Sequence, residues 1–240
     1  QPVVKITVGG HSVEGPVWIQ PGLADGTVAL ALGYGRRVVG RVGRGVGFDA
    51  YGLFQSTSRH LTAGKVERVF RKHRLAVTQE HGNQVSVIER PISAPVADAM
   101  VSCSREIALA VRVADCLPLL LYSNNVIAAV HVGRKGLMNQ VAVNAVAEMK
   151  KLGAKEITGV VGPHICGQCY EVGTDIFAEV TAAYPATFKK QNHLDLYAGL
   201  VSQLPEVKLS NVNLCTKENT DYFSYRAHGE GGRQVGVISL

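Results

Sequence analysis

Between Ile107 and Gly136 the chain carries three apolar runs cut by short polar breaks and a tight turn. Ile107 to Val113 is apolar apart from Arg112 and suits a buried strand. Ala114-Asp115-Cys116 interrupts it. Leu119 to Tyr122 resumes, with Pro118 at a strand start, where a missing N–H costs little. Ser123-Asn124-Asn125 makes the turn, because Asn tolerates positive φ, and Val126 to Val130 is the return strand. A two-residue loop at Asn124-Asn125 pairs Ser123 with Val126 and, counting outward, Pro118 with His131. Cys116 then shares a face with His131 on the diagonal, so a thiol and an imidazole meet at the open end of one hairpin. A three-residue loop would turn Cys116 to the other face.

Composition narrows what such a hairpin belongs to. With 240 residues, 46% hydrophobic and 18% charged, the chain can bury a sizeable core and is globular. It holds no run of 18 apolar residues and no N-terminal signal pattern, so we expect a soluble cytoplasmic protein with no membrane partner. The net charge of +6 fits an anionic small ligand. It fits nucleic acid less well, because the basic residues are scattered and lack interleaved aromatics. Five cysteines, an odd number without regular spacing, point to a reducing compartment. Oligomeric state is left open.

In chain order, Val3 to Val8 predicts a strand, Gly9-Gly10 a turn and Val13 to Ile19 its partner. Residues 22–52 intersperse glycine with arginine. A phosphate-cradling loop would look like this, but strands and tight turns with basic surface residues are favoured, because the strand–loop–helix fingerprint spacing is missing. Leu61 to Leu75, with Val66, Val69 and Phe70 at helical spacing, predicts a surface helix. His81-Gly82 lies at a break between two strand-like runs. Leu137 to Leu152 predicts a helix closed by Gly153. Ile157 to Val161 is a strand and 162–173 a loop. Asp175 to Tyr184 and Leu194 to Leu204 are helices, Leu209 to Leu214 a short strand, and the tail a basic loop with a closing strand. No repeat, linker or domain boundary stands out within 1–240.

His81, Cys116 and His131 form a candidate set. Three ligands of mixed nitrogen and sulfur type leave one tetrahedral position open, as in catalytic zinc sites. Cys116 and His131 also suit a thiolate–imidazolium nucleophile, and a buried cysteine beside a core histidine is the plain alternative. Cys166-Gly-Gln-Cys169 is either a second metal or redox pair or a chance spacing in a loop. Arg226 and Arg233 flank His228 in a glycine-rich tail and suit a phosphate or carboxylate, though surface arginines explain them as well.

Several motifs together carry a resemblance. Ala114-Asp-Cys-Leu-Pro118, His131-Val-Gly-Arg-Lys-Gly136, Gly162-Pro163, Tyr170-Glu-Val-Gly173, Cys215-Thr216, Phe223-Ser-Tyr-Arg226 and Gly232-Arg233 resemble the YfiH or DUF152 family. That family is also called multicopper polyphenol oxidase (laccase-like), and its human relative is FAMIN. Gln79-Glu-His-Gly82 matches its upstream Gln-x-His-Gly motif. The resemblance is strongest over 76–240. It implies an α/β (α+β) fold, a layered sandwich with a mixed sheet packed against helices. It implies zinc, with copper the alternative, on His81, Cys116 and His131. It also implies purine nucleoside phosphorolysis, with adenosine deaminase and methylthioadenosine phosphorylase activity, so purine nucleosides and phosphate are the expected partners.

The departures from the family are local. Where the family commonly has His-Ala-Gly-Trp-Arg-Gly, this chain has Arg134 and Lys135 in place of Trp and Arg, which removes a stacking surface and a planar fork. Ala227 replaces a second arginine. Residues 1–75 are atypical, and 3–52 locally resemble the C-terminal domain of molybdopterin oxidoreductases, at Gly15-Pro-Val-Trp-Ile19 and Leu32-Gly-Tyr-Gly-Arg36. The expected assignment is Arg226 and Arg233, with Lys135, on the anion. Asp115 is either a general acid or base or a structural carboxylate, and His164 and Glu171 are lesser candidates. A copper-dependent phenol oxidase and a non-catalytic metal-binding member of the family are the rival readings.

Overall fold

The two glycines at 9 and 10, both at positive φ (55° and 84°), reverse the chain between β1 (Val3–Val8) and β2 (His11–Pro16) in the way a two-residue hairpin requires. The register runs from Val8↔His11 to Val3↔Pro16, so β2 ends before Ile19. This computed structural model describes residues 3–17, 24–30, 49–54, 62–69, 73–90, 92–229 and 231–240. Most of the glycine–arginine stretch, at 31–48, lies outside the described residues, as do Trp18, Ile19 and the motif at 32–36. The chain divides into two compact units, Gln1–Arg71 and Lys72–Leu240.

In the first unit the other edge of β1 takes up β3 (Lys65–Val69), with Val3↔Val69 and Ile6↔Val66 in register. A helix over 61–75 is therefore not what forms: 65–69 is β3, and His73–Ala76 is β4, in the second unit. The valines at 66 and 69 fit either period, and the free ladder edge of β1 decides between them. Ile6, Val8 and Leu53 make a small core.

The second unit has three layers. Strands β5 (Val85–Val87), β6 (Ala99–Ser102), β8 (Leu117–Ser123), β9 (Val126–Val132), β10 (Thr158–Val161) and β13 (Lys208–Asn211) form one mixed sheet in the order β13-β10-β8-β9-β6-β5. Its β5–β6 and β10–β13 pairs are parallel and the rest antiparallel. A smaller sheet, β14 (Gln234–Ser239), β7 (Ile107–Val113) and β4, packs on one face of it. Met100, Ile107, Leu109, Ile127 and Ala129 fill the space between the sheets. Strands β11 (Phe188–Lys190) and β12 (His193–Leu194) form a separate short ribbon.

Helices cover the opposite face. They are α1 (Arg134–Met138), α2 (Val141–Lys151), α3 (Thr174–Ala183) and α4 (Leu196–Gln203), with the short α5 (Tyr225–His228) in the tail. Leu117, Leu119, Leu121, Ala128 and Val130 meet Val141, Ala145, Met149, Val180 and Leu200 there. The mixed α/β sandwich expected from the sequence is what forms. The helix expected over 137–152 is split, because Gln140 sits in the left-handed region (φ 62°) between α1 and α2, and Gly153 (φ 91°) closes α2.

The central hairpin positions the chemistry. Its register is Ser123↔Val126 through Pro118↔His131 and Leu117↔Val132, as counted from a two-residue loop. The turn chemistry differs from the expectation. Positive φ among described non-glycine residues is confined to His81, Asp115, Gln140, Asn192 and Asn213, so Asn124 and Asn125 turn without it. All of β9 is buried, on both faces, which accounts for its apolar sequence from Val126 to Val130, ahead of His131.

Candidate functional site

His131 ends the buried hairpin strand, and Cys116 lies in the break between β7 and β8. His81 comes from the loop between β4 and β5, held at φ 60°. Folding brings the three together: one ligand atom from each lies within 4.8 Å of the others. The Cys116 sulfur is 3.9 Å from His81 Nε2, and the two imidazoles stand edge to face, 4.7 Å between centres. Gly133 makes room for them. A Cβ there would sit 3.0 Å from the His81 ring and 3.1 Å from the Cys116 sulfur.

Asp98, which no motif flagged, organises this cluster. It is 1% exposed, and its Oδ1 is 2.7 Å from His131 Nδ1. The same carboxylate accepts the backbone N–H groups of Glu80, His81 and Gly82 at 3.2, 3.0 and 2.7 Å. One side chain thus sets the ring of one histidine and the backbone of the loop carrying the other. An ionised carboxylate only accepts, so Nδ1 of His131 carries the proton and Nε2 is left for the cluster. Burial opposes ionisation of Asp98, but the hydrogen bonds from His131, Gly82 and Glu80 outweigh it and hold it below the ordinary carboxylate range. Its sequence signal was a lone acid in the apolar run Ala97-Asp-Ala-Met-Val101.

The electrostatics favour a thiolate beside an imidazolium, and a metal taking both as ligands would displace the proton from His131 Nε2. Burial works against the Cys116 thiolate, but hydrogen bonding with His131 and His81 brings the thiol down to about 7. Burial also works against charge on His131, while Asp98 and Cys116 raise it to about 9. Two nitrogens and one sulfur converge, with one tetrahedral position to spare.

Asp115 follows a different course from its neighbour Cys116. It is buried at φ 88°, and its Oδ1 accepts the Thr216 hydroxyl at 2.7 Å while its Oδ2 accepts the Arg226 backbone N–H at 2.7 Å. Arg226 is exposed. Its Nη1 donates to the Glu171 carbonyl at 2.7 Å, and its guanidinium lies 5.0 Å from the centre of the Tyr170 ring. Tyr170 links the groups. Burial raises its phenol, with the charges of Arg226 and Arg134 opposing that rise and Cys116 adding to it. Arg134 therefore stands in the site at the position where the family commonly has tryptophan.

The remaining candidates lie outside the cluster. Lys135 is exposed on α1. Arg233 is exposed and its Nη1 donates to the Gly231 and Gly232 carbonyls of its own loop, at 3.0 and 2.9 Å. The Glu171 side chain is exposed, and its carbonyl serves Arg226. His164 is buried with Nδ1 2.8 Å from the Gly162 carbonyl, and burial holds its pKa below the ordinary value. It lines a separate cleft of about 280 Å³ with Cys166, Cys215 and Glu218.

Fold and site together define a three-layered α/β protein with a His–Cys–His cluster, able to hold a metal, at the mouth of its central hairpin. Residues 57–240 match the family described as "Multi-copper polyphenol oxidoreductase laccase", and the chain belongs to that family. A Streptomyces coelicolor protein named purine nucleoside phosphorylase is 39% identical over 178 residues, covering 68% of this chain and 74% of its own length. One of the same name from Corynebacterium glutamicum is 40% identical over 177 residues, covering 68% and 72%. A Neisseria meningitidis DUF152 structure aligns with a TM-score of 0.62 at 30% identity, over 70% of this chain and 75% of that one. The Bacillus licheniformis YfiH structure shares the fold, with a TM-score of 0.61 at 21% identity, over 70% and 74%. Among the described residues no helix is long and apolar enough to cross a membrane.

Proposed function

We propose that this chain is a metal-dependent enzyme acting on purine nucleosides. It carries out phosphorolysis of adenosine, inosine or methylthioadenosine and deamination of adenosine, with zinc on His81, Cys116 and His131. One observation carries this: three ligand atoms converge within 4.8 Å, and the Arg226 guanidinium lies 5.0 Å from the centre of the Tyr170 ring, whose phenol feels the charge of Cys116. The relatives' names support nucleoside and phosphate as substrates. The donor set fits zinc, since imidazole and thiolate suit it and Asp98 fixes the tautomer of His131 as outer-shell carboxylates do. When bound, zinc supplies a Lewis acid and acidifies a water.

In phosphorolysis a phosphate oxygen bonds to ribose C1′ as the bond from C1′ to the purine nitrogen breaks. The electron pair leaves on the purine, which takes up a proton. Arg226 orients the phosphate: one Nη1 donor is committed to Glu171, and the rest of its planar fork stays free for oxygen acceptors. Arg134, whose charge is felt by Tyr170, adds to the positive field. Asp115, with both oxygens occupied, acts as a positioning residue that fixes the Arg226 backbone. Lys135 and Arg233 contribute at longer range. In deamination, water adds at the purine carbon bearing the amine and ammonia leaves.

Incubation of the purified chain with adenosine, with and without phosphate, tests this. Adenine and ribose 1-phosphate are expected only with phosphate, and inosine in either case. Neither product in either condition overturns the reading and favours a non-catalytic family member. Copper-dependent phenol oxidation is the less favoured reading. Blue-copper chemistry wants a weak axial ligand, and Met100 and Met149 are buried in the apolar layers while Met138 packs against one.

A further inference from the structure

A second group of ligating side chains lies outside the site described above. Cys166, Cys169, Cys215 and Glu218 each present one ligand atom, all within 4.8 Å of one another. They come from two loops, 162–173 and 212–224, at the ends of the parallel strands β10 and β13. A short ladder at His164 and Cys215 holds the loops in register, with His164 N–H to the Leu214 carbonyl at 3.1 Å and Thr216 N–H to the His164 carbonyl at 3.0 Å. Each loop offers its two ligands three residues apart: Cys166-Gly-Gln-Cys169 and Cys215-Thr-Lys-Glu218.

The loop backbones are shaped for sulfur. The Cys166 N–H donates to the Cys215 sulfur at 3.4 Å. The Cys169 N–H donates to the Cys166 carbonyl at 3.0 Å, closing a tight turn that aims both thiols inward. Cys169 Sγ donates to Glu218 Oε1 at 3.2 Å, a contact between a ligand of one turn and a ligand of the other. All of these cysteines are free thiols.

From this geometry we propose a second metal site, in which Cys166, Cys169, Cys215 and Glu218 hold a zinc ion in a closed tetrahedral shell. Three thiolates and a carboxylate leave no position for water or substrate, so the ion is structural. Thiolates select zinc over the hard cations, and the Cys166 amide that donates to Cys215 spreads part of its negative charge. The ion clips the loop bearing Tyr170 and Glu171 to the loop bearing Thr216. These are the segments that hold Arg226 and Asp115. The assignment stands on these residues alone and does not depend on the nucleoside reading.

Cobalt(II) distinguishes the two sites in the full chain, because the ultraviolet sulfur-to-cobalt band grows with the number of thiolates. In a Cys116→Ser background, which removes the thiolate of the first site, one tightly held cobalt with a three-thiolate band is expected. Excess zinc should bleach it, and three of the four remaining cysteines should resist alkylation while the metal is bound. Adding Cys169→Ser should cut the band by about a third and weaken cobalt binding more than about 100-fold, beyond the loss typical of an outer-shell change. If that variant does not fold, Glu218→Gln in the same background should keep the three-thiolate band but bind more weakly. A Cys116→Ser protein that binds no cobalt through three thiolates overturns the proposal. So does an intramolecular disulfide between Cys166 and Cys169 in freshly purified protein.

Discussion

The molecule contains two hairpins of the same plan. Both β1–β2 and β8–β9 are antiparallel and reverse through two residues, Gly9-Gly10 in one and Asn124-Asn125 in the other. They differ in what surrounds them. Among the described residues, the first pairs with one further strand and has a small core of Ile6, Val8 and Leu53 beside it. The second is the middle of a six-stranded sheet, with a sheet on one face and helices on the other. Turn geometry fixes a register in both. Burial on both faces turns that register into a fixed place for side chains at the open end, because any slip would drive a buried strand out of its layer.

The largest test of this contrast is a one-residue insertion in each turn. Glycine inserted between Asn124 and Asn125 should turn Cys116 away from the face of His131, abolish metal retention and leave little folded protein. The same insertion between Gly9 and Gly10 should keep metal content at the wild-type level. Metal analysis with thermal melts reads both.

Next in size is Asp98. Asp98→Asn should lower zinc affinity about 10–100-fold, as outer-shell changes do, measured by competition with a chromophoric chelator. Asp98→Ala should cost about 3–5 kcal/mol in denaturant unfolding, since it leaves His131 and three backbone amides without their acceptor.

A pair of glycine substitutions sharpens the comparison further. At Gly133 a Cβ meets the His81 ring at 3.0 Å and the Cys116 sulfur at 3.1 Å, so Gly133→Ala should cost about 1–3 kcal/mol and weaken metal binding as well. At Gly10 nothing lies within 4 Å and the demand is φ 84°. Gly10→Ala should cost about 1–2 kcal/mol, from backbone strain alone, without touching metal affinity.

The smallest effect is expected outside both hairpins, at Lys150–Glu206 (3.0 Å, both half-exposed). Hydrogen bonding and charge from Lys150 lower the Glu206 pKa, so the pair stabilises the fold above the ordinary carboxylate range and the gain fades as pH falls through it. Lys150→Ala should cost under about 1 kcal/mol at pH 7 and nothing measurable at pH 3, by urea unfolding at both pH values.

How much of this the sequence disclosed depended on how local the cause was. The hairpin register and the face shared by Cys116 and His131 followed from loop length alone, even though the asparagines turn without the positive φ that motivated the count. The helices at Thr174–Ala183 and Leu196–Gln203 and the closing strand also read correctly from periodicity and caps. Strand β3 did not, because its state is decided by the free edge of β1, which no local pattern encodes. In the site, His81 entered as a candidate by residue type and gained support from a motif resemblance, while its distance to Cys116 is set by tertiary folding. Asp98 and Tyr170 were missed for a related reason: each matters through partners that are remote in sequence. The role of Arg134 was hidden because it occupies a position where a different residue type was expected.

The Asp115 carboxylate ties Thr216 and Arg226 to a strand end laid down 101 and 111 residues earlier. Such a closure is entropically slow and comes late in folding. During synthesis, a ribosome must release the chain through Arg226 before that knot can be drawn. A chain stalled or clipped ahead of Arg226 could complete its central hairpin and still lack the clasp that fixes the arginine, leaving a half-assembled pocket for quality control to find.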